Sequence, residues 1–130
     1  MMTDPLGDML IRIKNGYLAR LKTVEIPYSK VKENLGNVLA KSGFIKDIKI
    51  ENTGVKKSLT VTLSYNKEGA KLLGVERVSK PGVRVYTSKK DIPTILSGMG
   101  EVVLSTPLGI MTGKEAKKKG IGGEIICKVW

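Results

Sequence analysis

Near the start of the chain, Leu6, Met9, Leu10, Ile13 and Tyr17 recur at three- and four-residue intervals, predicting an amphipathic helix with one buried stripe. Thr3-Asp4-Pro5 reads as its opening, a cap followed by proline at a position where the missing N–H is harmless. Arg12, Lys14 and Arg20 lie off or beside the stripe, Gly16 weakens the interior, and the helix is predicted to reach about Leu21. The pattern then changes to alternation. Thr23-Val24-Glu25-Ile26 predicts a short strand ended by Pro27. Ser29 is a cap for a second helix with the apolar face Val31, Leu35, Val38 and Leu39, stopped at Gly43. Phe44 to Ile50 and Ser58 to Tyr65 are predicted strands, the second alternating Leu59, Val61 and Leu63 with Thr60, Thr62 and Ser64, and Asn52-Thr53-Gly54 turns between them.

Asn66-Lys67-Glu68-Gly69 is a polar break, and it sets the expected boundary between two lobes, 1–68 and 69–130. Beyond it, Val75 to Val78 and Val83 to Tyr86 read as strands around the turn Ser79-Lys80-Pro81-Gly82, and Ile92 to Leu96 as a helical turn or two. Glu101 to Leu104 is an apolar strand entering the loop Ser105-Thr106-Pro107-Leu108-Gly109. Thr112 and Glu115 form a capping box for a short helix to Lys119, ended by Gly120, and Gly122-Gly123 leads into a last strand, Glu124 to Val129. The expected class is α/β of the α+β kind: an N-terminal α-β-α-β-β lobe, then a C-terminal lobe that is mostly β with short helices. No internal repeat or low-complexity tract occurs.

Charge narrows the function. With 23 Lys and Arg against 12 Asp and Glu, the chain carries a formal +11 over 130 residues. Such an excess draws nucleic acid, anionic membrane or acidic protein through the same long-range field. No apolar run of about 18 residues and no charged-then-apolar leader appears, so membrane is not an expected partner; Met1-Met2-Thr3-Asp4 reads as a plain mature start. Cys127 has no second cysteine to pair with, which points to a reducing compartment, cytoplasm or organelle matrix. The absence of histidine removes the usual general base and the commonest transition-metal ligand, so no metal or cofactor is expected and a catalytic reading is weakened, with carboxylate or lysine catalysis left open. Gly98 and Gly100 make neither a dinucleotide fingerprint nor a Walker loop, and carboxylates such as Asp4, Asp8, Glu33, Asp91, Glu115 and Glu124 sit scattered through caps and turns.

Candidate contacts concentrate in the C-terminal third. Ser105 and Thr106 offer hydroxyls that donate and accept, suiting phosphate, 2′-hydroxyl or base edge, or else local backbone groups at a strand end. Lys114, Lys117, Lys118 and Lys119 form a basic run, readable as a solvated face or as a phosphate-binding one beside the hydroxyl loop and Gly122-Gly123. Lys80, Arg84 and Tyr86 surround the Pro-Gly turn, with the last two on one strand face, where a cation and a ring suit backbone neutralisation and stacking. Met9, Met99 and Met111 read as core filler.

The segment Gly100-Glu101-Val102-Val103-Leu104-Ser105-Thr106-Pro107-Leu108-Gly109-Ile110-Met111-Thr112, continued through Glu115-Ala116-Lys117 and Gly120 to Cys127, closely resembles small-subunit ribosomal protein eight of bacteria and organelles. Asp4-Pro5, Asp8-Met9-Leu10 and Arg12-Ile13-Lys14-Asn15-Gly16 match that family's opening, and Val78 to Tyr86 its middle. The resemblance implies a two-lobe fold, binding to the central domain of 16S ribosomal RNA at a distorted helix, neighbouring small-subunit proteins as partners, and an early role in subunit assembly. It assigns RNA contact to Ser105, Thr106, Gly122, Gly123 and Glu124, and extends it to Tyr86, Lys30 and Arg84. Many relatives continue the Ser-Thr pair with Ser-Lys-Gly, whereas this chain has Pro107-Leu108-Gly109, losing a hydroxyl and a cation. Some relatives bind their own messenger RNA, which makes that a further candidate partner; off the ribosome a monomer is expected. The competing readings are an RNA-processing enzyme and a DNA-binding architectural protein.

Overall fold

The computed structural model describes residues 4–95 and 98–130. In order these form α1 (Pro5–Leu18), β1 (Thr23–Pro27), α2 (Lys30–Lys41), β2 (Asp47–Thr53), β3 (Lys56–Thr62), β4 (Tyr65–Asn66), β5 (Gly69–Ala70), β6 (Val75–Arg77), β7 (Tyr86–Thr87), β8 (Glu101–Thr106), β9 (Gly109–Thr112), α3 (Gly113–Lys119) and β10 (Gly123–Val129). The fold is mixed α+β. The chain divides into two compact units, Pro5–Leu73 and Gly74–Trp130, the second including Asp4. The β4–β5 hairpin, which contains the polar break of the sequence, belongs to the first unit.

In the first unit the antiparallel order β1-β3-β2 aligns Ile26 with Leu59 and Ile50, and Val24 with Val61 and Ile48, so one face is apolar. Against the sheet lie α1, over β1, and α2, over β2. A Cβ at Gly16 would run into Val24 and Leu63, so this glycine marks a close helix–sheet approach as well as a soft spot in the helix. Buried Tyr17 ties the layer together: its hydroxyl donates to the Phe44 carbonyl at 2.6 Å and accepts from the Ser64 N–H at 3.0 Å. The first helix stops at Leu18, short of the expected Leu21, because the backbone of Arg20 turns left-handed and closes the helix. Thr3, the expected cap, lies outside the described residues. Ser29 caps α2, accepting from the Lys32 N–H at 3.2 Å. Val31, predicted on its buried face, is instead 41% exposed, and Lys32 is buried, its ammonium donating to the Pro27 carbonyl at 3.1 Å. One residue of rotation separates the two, and a charged tip with a carbonyl partner can take the inner place.

The second unit is organised around β10. Its sheet order is β6-β10-β8-β9, with β7 also pairing β10. The strands before and after the Pro-Gly turn do not form an isolated hairpin: Val75–Arg77 follows one edge of β10 opposite Cys127–Val129, and Tyr86–Thr87 lies opposite Gly123–Glu124. The loop between them is pinched at its base. Fully buried Ser79 uses its hydroxyl twice, accepting from the Val85 N–H at 2.9 Å and donating to the Val85 carbonyl at 3.2 Å. Nearer the tip, Lys80 and Val83 exchange two backbone hydrogen bonds of 2.9 Å. Register shifts between Ile125 and Cys127, a β-bulge whose Ile126 carbonyl accepts from Arg77 at 2.5 Å, while the same guanidinium holds Asp4 in an ion pair of 3.0 Å.

Gly109 to Thr112, read from sequence as loop and cap, forms β9 and pairs with β8 through Thr106, Ser105, Leu104 and Val103. Thr112 does cap α3, accepting from the Glu115 N–H at 3.2 Å, and Gly120 ends that helix at φ 69°. On one side of this sheet Ile92, Val102, Leu104, Met111, Ala116 and Ile125 form a cluster that α3 covers. Residues 92–95 are not helical, in contrast to the turn or two expected over Ile92 to Leu96; Pro93 steers the preceding Ile92 away from helical backbone angles, and Leu96 lies outside the described residues.

Burial pushes the Cys127 thiol up to about 12, with Arg77 opposing the shift. The folded chain therefore keeps the proton that the unfolded chain, near its ordinary 9.0, gives up. Stability drawn from this group is complete below pH 9.0 and is lost as pH rises towards about 12. The denaturant midpoint of wild type should accordingly fall relative to that of Cys127→Ala across that window, narrowing whatever lead the buried thiol gives it below pH 9.0. Parallel pH profiles would show that the thiol is ionised as readily in the folded chain.

Candidate nucleic-acid interface

Strand register brings the C-terminal candidates into one row. Tyr86 on β7 lies opposite Glu124 on β10, Glu124 opposite Ser105 on β8, and Ser105 opposite Ile110 on β9. Residues directly opposed across a sheet share a face. Because side chains alternate, this is the face opposite Leu104, Met111 and Ile125, whose side the helix α3 covers. Tyr86 is 70% exposed, and Ser105, Glu124 and Ile110 are half-buried.

Gly122 and Gly123 let the row close up. A Cβ on Gly123 would strike the Ser105 carbonyl, and one on Gly122 the Thr87 carbonyl. Both glycines are thus fixed by backbone approach, which brings the start of β10 between β7 and β8.

Three of the predicted side chains are already engaged. Arg84 donates to the Glu124 carboxylate at 3.0 Å, with Arg84 the more exposed partner, so the one carboxylate in the row is locally neutralised. Thr106 donates to the Gly109 carbonyl at 2.8 Å and accepts from the Leu108 N–H at 3.1 Å, which locks the Pro107-Leu108 turn. Ser105 has no hydrogen-bond partner for its hydroxyl among the described residues. Of the two adjacent hydroxyls, only that of Ser105 stands ready to donate and accept.

Other candidates lie elsewhere. Lys80 is exposed in the pinched turn. Lys117 and Lys118 are exposed on α3, which packs on the other side of the sheet, so their closeness in sequence to Gly122 does not make them part of the row. Lys30 belongs to the first unit, 3.5 Å from Glu33, whose carboxylate also accepts from the Tyr28 hydroxyl at 2.7 Å. That hydrogen bond, then Lys30, holds the Glu33 carboxyl below its ordinary value. Sequence reading missed Ile110 and the lock at Ser79. The first needed the strand β9, and the second is a serine that looked like any turn residue.

The arrangement offers a ring to stack against, a free hydroxyl, a neutralised acid and closely packed backbone, with no group placed as nucleophile or base. Among the described residues no group of three or more Cys, Asp or Glu is placed to hold a metal ion, and no helix is long and apolar enough to cross a membrane. Against known families, residues 4–130 match the one described as ribosomal protein S8. This chain belongs to the ribosomal protein S8 family. Curated S8 relatives are similar over nearly their whole length. The chain is 50% identical over 131 residues to the small ribosomal subunit protein uS8 of Caldanaerobacter subterraneus subsp. tengcongensis, covering 99% of this chain and 98% of that protein. It is 45% identical to the protein of the same name from Clostridium novyi, again over 99% and 98%. To that of Solibacter usitatus it is 44% identical over the full length of both. The S8 family is one of structural ribosomal proteins, not of enzymes.

Proposed function

We propose that this S8 chain is a non-catalytic constituent of the small ribosomal subunit that binds the central domain of 16S ribosomal RNA at an irregular helix and helps assemble that part of the subunit. The observation carrying the reading is the row Tyr86–Glu124–Ser105, drawn from three strands and packed tightly by Gly122-Gly123. An irregular RNA region presents splayed bases and 2′-hydroxyls, which a ring, a free hydroxyl and an acid can stack on and hydrogen-bond. Lys80, Lys117, Lys118 and Lys30 then supply phosphate contacts that carry affinity without reading sequence. The same surface would serve for its own messenger RNA if that RNA repeats the shape. Neighbouring small-subunit proteins and a cytoplasmic or organelle-matrix location follow from the same role.

The test is the affinity of the protein for a central-domain 16S RNA fragment against a base-paired control of equal length, across a salt series. A preference for the fragment that survives raised salt is expected; equal affinities that fall together would leave only a basic surface. Within that experiment, Lys117→Gln with Lys118→Gln should weaken binding to both RNAs and lower the log–log salt slope by about one per charge removed. An unaltered slope would return these lysines to solvent.

A further inference from the structure

More than half of the chain's 23 Lys and Arg residues lie in the first unit, where the C-terminal row has no part. Among the described non-glycine residues only Arg20 has a positive φ, 56°. It occupies the position just past α1 where its own N–H bonds the Tyr17 carbonyl at 3.1 Å and the Leu21 N–H bonds the Gly16 carbonyl at 2.9 Å. Helices ending in this way usually place glycine there, since a Cβ is strained in the left-handed region. An arginine kept at such a position fixes the root of a cation in one place, and strain of this kind collects at functional sites.

The Arg20 side chain is exposed and makes no hydrogen bond or ion pair with a described residue. It borders an open cleft of about 530 Å³, also lined by Tyr65, Asn66, Lys67, Glu68 and Gly69 of the β4–β5 hairpin. Tyr65 is 42% exposed and held from two sides: its hydroxyl donates to the Leu21 carbonyl at 2.7 Å, and its ring meets Tyr17 edge-on at 5.3 Å. The Asn66 side chain shapes the hairpin by accepting from the Glu68 N–H at 2.9 Å. Lys67 and Glu68 are exposed and, like Arg20, unpaired among the described residues. Two free cations beside a rigid, half-open ring have the composition of a site for one unstacked nucleotide.

We propose that this cleft takes a single unpaired RNA nucleotide, its phosphate between Arg20 and Lys67 and its base or ribose against Tyr65. Glu68 is placed to accept from a ribose 2′-hydroxyl, a group DNA lacks. The proposal rests on the RNA-binding reading above and adds a second, separate contact to it.

The decisive variant is Arg20→Gly, because glycine relieves the backbone while removing the cation. It should melt at or above the wild-type temperature, yet bind the central-domain 16S fragment about tenfold more weakly, with a log–log salt slope lower by about one. Lys67→Gln should lower the slope equally with no change in melting temperature. Wild-type affinity and slope in Arg20→Gly, with the preference for the fragment intact, would overturn the subsite and leave the main reading standing. A less stable Arg20→Gly with an unchanged slope would overturn it too, giving Arg20 a structural role. If wild type itself shows no preference for the fragment over duplex, both readings fall together.

Discussion

Replacing Gly123 by alanine is expected to destabilise the second unit by about 3 kcal/mol, lowering the melting temperature by roughly 10 °C or more. The new methyl would meet the Ser105 carbonyl, a backbone atom held in the β8–β10 ladder, so neither partner can swing aside as a flexible side chain would. Relief requires parting the strands that align Ser105 with Glu124, and RNA discrimination should therefore fall even in the fraction that remains folded. Gly122→Ala should behave alike through the Thr87 carbonyl. Melting curves that superimpose on wild type would mean that the strands admit a methyl freely, and the tight closure would lose its role in building the row.

The second large effect separates two neighbouring hydroxyls. Ser105→Ala should lose about 1–3 kcal/mol of discrimination between the 16S fragment and a duplex control, with little change in stability, because its hydroxyl bonds no partner among the described residues. Thr106→Ala should do the reverse. Its hydroxyl holds the Leu108 N–H and the Gly109 carbonyl, so its loss should cost about 1 kcal/mol of stability and loosen the turn, while discrimination falls less than in Ser105→Ala. Comparing affinity ratios and unfolding free energies of the two variants settles the division. Equal loss of discrimination from both would show that Thr106 leaves the turn to contact RNA. The Pro107-Leu108 pair bears on the same point: Leu108 is 66% exposed at a place where the family resemblance leads one to expect a cation, so either lysines elsewhere supply that charge or the affinity for RNA is lower.

Much of this was readable in the chain itself. The stripe Met9, Leu10, Ile13 and Tyr17 is buried as its spacing predicts, Ser29 and Thr112 cap the helices they were expected to cap, and the alternation of Leu59 and Val61 sets the apolar face of β3. These features depend on neighbours within a few residues, or on a period that one buried face imposes, and both are written in local sequence.

What the sequence left open depends on partners distant along the chain. Arg20 ends α1 short of the expected Leu21, and Lys32 takes the inward position from Val31 because the Pro27 carbonyl is there to receive it. The strand β9 exists because β8 offers it a ladder, which its own glycine-led residues do not announce. The sequence alone established a basic, histidine-free chain of mixed α+β elements with a hydroxyl-bearing segment near Gly122-Gly123. Only the tertiary structure decided that Glu124 stands between Ser105 and Tyr86, that Thr106 belongs to its own turn, and that Lys117 and Lys118 lie on a helix covering the other side of the sheet. Register between strands and the side of a sheet that a helix covers are set by long-range pairing, which no local pattern encodes.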